Sequence, residues 1–233
     1  YALANTFAKH DCDLILIARK DEQLKAVSAE CKKKGANVLM VSLDLADLAS
    51  HYIVKALYDS LKVKKYQQAL LFNNASIITP IAPIDQITPE QIGQIMSINL
   101  HASVWMAQLF CAFVKGQEIV SSKIVNISSG VSKNVLEGWG LYCISKAAVN
   151  MLTSMVVADT KSWKYPVLAV SINPGPIDTD MQVEIRNSDV KVNPDKLRFE
   201  KMHAEGKLQG KFQVAENIMA IIKQGPFPNN QFI

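Results

Sequence analysis

Six short apolar runs, spaced by stretches of helical pattern, constrain what this chain can fold into more than any other feature in it. Residues 13–18 (DLILIA), 37–42 (NVLMVS), 69–72 (ALLF), 123–127 (KIVNI) and 167–172 (VLAVSI) are rich in branched side chains, and a sixth run opens at Gln231. Their apolar residues mostly follow one another instead of alternating with polar ones, the pattern of strands covered on both faces. Between them, residues 2–10, 21–34, 47–62, 89–115, 142–159 and 214–223 carry helical patterns. Gly35 stands where a helix ending at 34 needs a C′ residue, and Thr88-Pro89 supplies an N-cap followed by proline at the first helical position. Such alternation predicts an α/β fold built on a doubly wound parallel sheet. Ligands of such sheets bind at the carboxyl ends of the strands, so the residues after each run are the candidates for function.

Length and composition narrow the reading further. A chain of 233 residues fits one domain, 1–233. The polar stretch from Pro174 to about Gly206 has the length of a lid or binding segment, and a substrate lid is expected at about 176–206. With 49% hydrophobic and 20% charged residues, the chain is neither disordered nor collagen-like. No uninterrupted apolar run approaches the ~18–20 residues of a membrane span, so a soluble protein with no membrane partner is expected. The net charge of +4 is dispersed, without a basic stripe interleaved with aromatics, which argues against nucleic acid as a partner. Cys12, Cys31, Cys111 and Cys143 show no CxxC pair and are expected as reduced thiols in a cytoplasmic setting. His10, His51, His101 and His203 are scattered, so no metal site is expected.

The strand ends hold the chemistry. Arg19 and Lys20 follow the first run, where a cation suits a ribose 2′-phosphate and a carboxylate would suit a 2′-hydroxyl; a solvated basic turn is the plainer alternative. Asp44, after the second run, is either an acceptor for an adenine amino group or a helix-start aspartate. Asn73-Asn74-Ala75-Ser76 is a turn able to line a cleft. Asn99, in the apolar company of a predicted helix, either faces solvent or holds a polar network. Ser129 ends the fourth run. Thirteen residues on stands Tyr142, with Lys146 four later on the same helix face. An ammonium there stabilises phenolate and is expected to lower the phenol's pKa from about 10, making Tyr142 a usable proton donor. Pro174-Gly175-Pro176 and Thr179 follow the fifth run and present backbone groups and a hydroxyl.

In order and spacing, Asn73-Asn74-Ala75, Asn99, Ser129, Tyr142-x-x-x-Lys146 and Pro174-Gly175-x-x-x-Thr179 resemble the signature of the short-chain dehydrogenase/reductase family, and the likeness runs the length of the chain. Three further stretches are similar to the sepiapterin-reducing branch of that family: Val125-Asn126-Ile127-Ser128-Ser129, Gly138-Trp139-Gly140-Leu141-Tyr142-Cys143, and Pro174-Gly175-Pro176-Ile177-Asp178-Thr179-Asp180-Met181-Gln182. Its dicarbonyl (benzil-type) branch shares an Asp-Thr-x-Met-Gln-like run. The resemblance implies a Rossmann-like sheet, NADP(H) as cofactor, a small-molecule carbonyl substrate (pterin or dicarbonyl) and a homodimer. It implies Tyr142 as general acid, Lys146 as the group that tunes it and binds the nicotinamide ribose, Ser129 as the orienter of the carbonyl, and Asn99 as holder of a relay water. Arg19 would contact the 2′-phosphate, Asp44 the adenine, and Asn74 with Ala75 the cofactor wall. Pro174, Gly175, Ile177 and Thr179 would surround the carboxamide. Trp139, Met181 and Gln182 would line the substrate pocket.

Two departures stand against that pattern. Ser76 occupies a position that is commonly glycine in the family, and would be strained if its backbone needs positive φ. The first strand and the glycine-rich phosphate loop of the family are missing, with Tyr1 expected just after that loop, and a pterin-anchoring aspartate would fall beyond Ile233. Three readings follow: an NADPH-dependent reductase of pterin side-chain carbonyls, a dicarbonyl or quinone reductase with the same machinery, or a non-catalytic dinucleotide-binding protein.

Overall fold

The computed structural model describes residues 1–8, 12–47, 49–224 and 227–233; His10, at the end of the first helical pattern, and Leu48 lie outside the described residues. The described chain alternates strand and helix throughout. The strands are β1 (Asp13–Ala18), β2 (Asn37–Ser42), β3 (Gln68–Asn73), β4 (Ser121–Ile127), β5 (Val167–Ile172) and β6 (Gln231–Phe232). The helices are α1 (Ala2–Phe7), α2 (Asp21–Lys33), α3 (Ala49–Leu61), α4 (Pro89–Met96), α5 (Ala102–Gly116), α6 (Gly140–Thr160), α7 (Asp180–Asn187), α8 (Lys196–Ala204) and α9 (Lys211–Lys223). Every strand pair is parallel, as crossover helices require.

The strands form two sheets, β1-β2 and β3-β4-β5-β6. Leu14 faces Val38 and Ala18 faces Ser42 in the first; Asn73 faces Asn126 and Ile127 faces Ile172 in the second. β1 and β3 share no ladder, so each keeps one edge unpaired within the described sheets. Between them lies a cavity of about 2150 Å³, lined by Leu14, Leu16, Leu70 and Phe72 from the strands and by Phe7, Met106 and Phe110 from the helices. The two sheets are joined by side-chain packing instead. Val54 of α3 and Leu43 belong to one buried cluster with Trp105, Phe110 and Phe113 of α5 and with Ile124 and Val167 beneath them.

Two sequence expectations need correction. Residues 89–116 and 140–160 are helical stretches long and apolar enough, by length and composition, to cross a membrane. Single polar residues such as Asn99, Gln108 and Lys146 interrupt each run in sequence, which is why neither stands out as continuous. Their most apolar windows are 61% and 50% buried inside the fold, the condition of core helices. The helix expected over 89–115 is continuous, with a π turn at Ser97–His101 between α4 and α5. Its start is as expected: the Thr88 hydroxyl accepts from Gln91 N at 3.3 Å and Gln91 Oε1 accepts from Thr88 N at 2.9 Å, a capping box. The polar stretch 174–206 is not one long loop. It holds α7 and α8, seated on the cluster around Trp139 by buried Ile185 and Phe199 with Met181 and Met202 packed beside them.

Candidate active site

The site is built where β4 ends and α6 begins. β4 runs into Ser128, whose N–H donates to Ile172 O across the ladder at 2.8 Å, and then into Ser129, the first residue of a tight turn over Gly130–Ser132. Tyr142 and Lys146 lie one helical turn apart on the face of α6 that meets this strand end, 7% and 3% exposed. Lys146 Nζ donates to Ile127 O at 2.8 Å and sits 5.5 Å from the centroid of the Tyr142 ring.

Burial dominates the electrostatics of the pair. It pushes the Tyr142 phenol up to about 12 and pulls the Lys146 ammonium down to about 8. The Ser129 and Ser76 hydroxyls bear on the phenol and pull the other way without reversing the shift. Ser76 Oγ is buried without a hydrogen bond of ordinary length, so its pull is that of a longer approach. The expected lowering of the phenol by Lys146 is therefore not what the structure shows: desolvation outweighs it, and the ammonium's close partner is a backbone carbonyl. Tyr142 is firmly protonated at neutral pH.

Asn99 sits in the π turn and is 1% exposed, so it does not face solvent. Its side chain does for Ile77 what a neighbouring strand would do. Oδ1 accepts from Ile77 N at 2.8 Å and Nδ2 donates to Ile77 O at 2.8 Å. Nδ2 also donates to Ser145 Oγ at 3.0 Å, and that hydroxyl donates to Tyr142 O at 2.8 Å. The amide thus joins the turn after β3 to the first turn of α6. Sequence reasoning missed Ser145; its place three residues after Tyr142, on the inner side of the helix, was the available signal. Ser76 is absent from the positive-φ residues of the described chain, so a side chain there costs no backbone strain.

The residues expected on the cofactor fall in two groups. Arg19, Asp44, Asn74 and Ala75 all line the cavity between the two sheets, which reaches Ser76 and Ile77 at its far end. Arg19 is exposed, and its guanidinium makes no ion pair among the described residues. Asp44 Oδ1 accepts from Ala46 N at 2.9 Å, so one carboxylate oxygen shapes the turn before α3. Pro174, Gly175, Ile177 and Thr179 stand on the loop after β5. Gln209 fastens that loop, donating from N to Pro176 O (2.9 Å) and from Nε2 to Pro174 O (3.0 Å). The Thr179 hydroxyl donates to Ile177 O at 3.3 Å.

Trp139, just before α6, stacks on Phe199 of α8 with centroids 5.7 Å apart and meets the Tyr142 ring edge-on at 6.0 Å. Met181 packs against the same cluster. Trp139 Nε1 and Gln182 Oε1 are buried with no partner, a donor and an acceptor left open on the elements beside Tyr142. Among the described residues no group of acidic, histidine and cysteine side chains could hold a metal.

Comparison with known proteins fits this arrangement. A family model described as short chain dehydrogenase matches residues 1–190. A benzil reductase ((S)-benzoin forming) of Bacillus cereus is 32% identical over all of this chain and 92% of its own length. The sepiapterin reductase of Bos taurus is 29% identical over 94% of this chain and 82% of its own. A short-chain dehydrogenase from Sphingobium yanoikuyae, solved in complex with NADPH, superposes with a TM-score of 0.75 at 21% identity, covering 95% of this chain and 78% of that one. With its parallel α/β sheets and its tyrosine and lysine a helical turn apart at the end of β4, the chain belongs to the short-chain dehydrogenase/reductase family of oxidoreductases.

Proposed function

We propose that the protein is an NADPH-dependent carbonyl reductase acting on the side-chain carbonyl of a pterin. The observation that carries the reading is the placement of Tyr142, buried at the strand end that bears Ser129 with Lys146 a helical turn away. NADPH, when bound, supplies the hydride. Tyr142 donates its phenolic proton to the carbonyl oxygen as that oxygen gains charge, and the Ser129 hydroxyl holds the same oxygen in line. Lys146 opposes the charge left on the phenolate, which solvent then reprotonates. Arg19 would take the 2′-phosphate, Asp44 the adenine, Asn74 and Ala75 the wall of the cleft, and the loop from Pro174 to Thr179 the carboxamide.

The unpaired Trp139 Nε1 and Gln182 Oε1 favour a substrate that both accepts and donates hydrogen bonds, as a pterin ring does. The benzil reductase relative favours a second reading, a dicarbonyl or quinone substrate, which would leave the Gln182 acceptor unmet. In either case α7 and α8 serve as the lid. Ile144, Met151 and Met155, exposed along α6, with Val104 on α5, form the contact of a homodimer. The absence of a CxxC pair among the four cysteines is the ground on which we place the protein in the cytoplasm.

The test is NADPH oxidation by the purified protein with sepiapterin, benzil or neither, repeated with NADH. Turnover of sepiapterin that prefers NADPH and is lost in Tyr142→Phe supports the reading. Turnover of benzil alone keeps the mechanism and removes the pterin. Wild-type rates in Tyr142→Phe would sink the mechanism, and binding of NADPH without any turnover would mark a non-catalytic protein.

A further inference from the structure

Two turns of α6 separate Tyr142 from a third polar residue near the same face, Asn150. Its side-chain amide is engaged at both ends, with two hydroxyls that bracket Ser129. Asn150 Oδ1 accepts from Ser128 Oγ at 2.7 Å, and Asn150 Nδ2 donates to Ser132 Oγ at 2.8 Å. Ser128 is 3% exposed and its N–H is already fixed to Ile172 O. Its hydroxyl also lies 3.4 Å from Lys146 O, but the shorter contact to Asn150 takes its single proton. Both ends of the segment 128–132 are therefore held by one amide. Between them Ser129 starts the turn, its Oγ accepting weakly from Val131 N at 3.5 Å.

Val131 packs against the cluster of Leu141, Tyr142 and Cys143 on α6, but among the described hydrogen bonds Asn150 alone reaches both ends of the segment. The strand beneath fixes Ser128 through its backbone, but the turn beyond it hangs free of the ladder after Ile127. An untethered turn would let the Ser129 hydroxyl drift relative to the phenol, and a displacement of about 1 Å in a reacting geometry costs on the order of 100-fold in rate. An amide suits the task because it offers one acceptor and one donor at fixed separation; a carboxylate or an alkyl chain offers at most half of that.

We propose that Asn150 is a positioning residue for the reaction, setting Ser129 against Tyr142 by clamping Ser128 and Ser132 to α6. The inference rests on the assignment of Tyr142 and Ser129 made under the proposed function. It adds a residue that touches neither substrate nor cofactor and acts only through Ser129.

The experiment is a double-mutant cycle with an independent structural readout. Asn150→Leu keeps the approximate size, raises the helix propensity and removes both hydrogen bonds. Its kcat for the preferred carbonyl should fall about 10- to 100-fold while KM for NADPH stays within about twofold. In the Ser129→Ala background the same change should cost less than about twofold, because the group it positions is gone. Multiplying losses in the double variant, or an unchanged kcat in Asn150→Leu, would overturn the proposal. Amide hydrogen exchange is read in parallel and needs no activity. Asn150→Leu should speed exchange across 129–133 at least tenfold while leaving 144–156 protected. Unchanged protection of the turn would overturn the clamp, and exchange raised equally along α6 would overturn it too, by showing a general loss of stability instead. If wild-type protein turns over no carbonyl, the functional reading fails by itself, and exchange still decides whether the clamp exists.

Discussion

Replacing Lys146 by methionine should make the ligand-free protein more stable at neutral pH while removing its activity. The ammonium is 3% exposed, and burial pulls it from an ordinary 10.5 to about 8. That gap amounts to roughly 3 kcal/mol at about 1.4 kcal/mol per pH unit. The unfolded chain binds this proton more tightly than the folded one, so the cost is present in full below about pH 8 and is recovered between about 8 and 10.5. Lys146→Met removes it but also takes the donor from Ile127 O, whose loss costs about 1–2 kcal/mol. The net expectation at pH 7 is a gain of about 1–2 kcal/mol, or roughly 2–8 °C in Tm for a chain of this length. The assay is urea unfolding of both proteins at pH 7, 8, 9 and 10. The methionine variant should lead at pH 7 and lose that lead by pH 10. The raised phenol of Tyr142 lowers stability above about pH 10 in both proteins and cancels in the difference. A variant less stable than wild type by the same amount at every pH would show that the buried charge carries no such cost.

Other outcomes follow from single contacts. Asn99→Leu strands both backbone groups of Ile77 and should cost roughly 2–5 kcal/mol in denaturant unfolding, well above a simple change of side-chain volume. Gly138→Ala places a Cβ 2.6 Å from Val192 O on a backbone held at φ 76°; a loss of about 2–3 kcal/mol is expected in thermal melts, and Gly138→Ser should be no better tolerated. Arg19→Glu should raise KM for NADPH at least tenfold and leave NADH nearly untouched, so a parallel change in both would remove Arg19 from the 2′-phosphate. A monomer mass in sedimentation at micromolar concentration would remove the assembly through α5 and α6.

Much of this was legible in the residues. Continuous apolar runs such as KIVNI and VLAVSI gave the parallel strands, because burial on both faces leaves no room for alternation. The four-residue step from Tyr142 to Lys146 gave their shared helix face. What escaped the sequence has physical causes. The π turn at Ser97–His101 is a one-residue change of helical register with no composition of its own. Asn99 looked as compatible with solvent as with a network because its partner, Ile77, offers only backbone. The direction of the Tyr142 shift depended on how deeply a phenol and an ammonium are jointly desolvated, which spacing does not reveal. The helices α7 and α8 hid in a polar stretch because four scattered apolar residues, Met181, Ile185, Phe199 and Met202, anchor them.

The packing of α3 against α5 decides how firmly the two described sheets hold together. Arg19 and Asp44 ride on the end of the β1-β2 pair, while Ser129, Tyr142 and Lys146 ride on the four-stranded sheet and its helix. No hydrogen-bonded ladder among the described residues joins the two sets; α3 against α5 does, through side chains such as Val54, Trp105 and Phe113. A large-to-small change at Trp105 or Phe113 therefore weakens the hold of one sheet on the other without touching a strand.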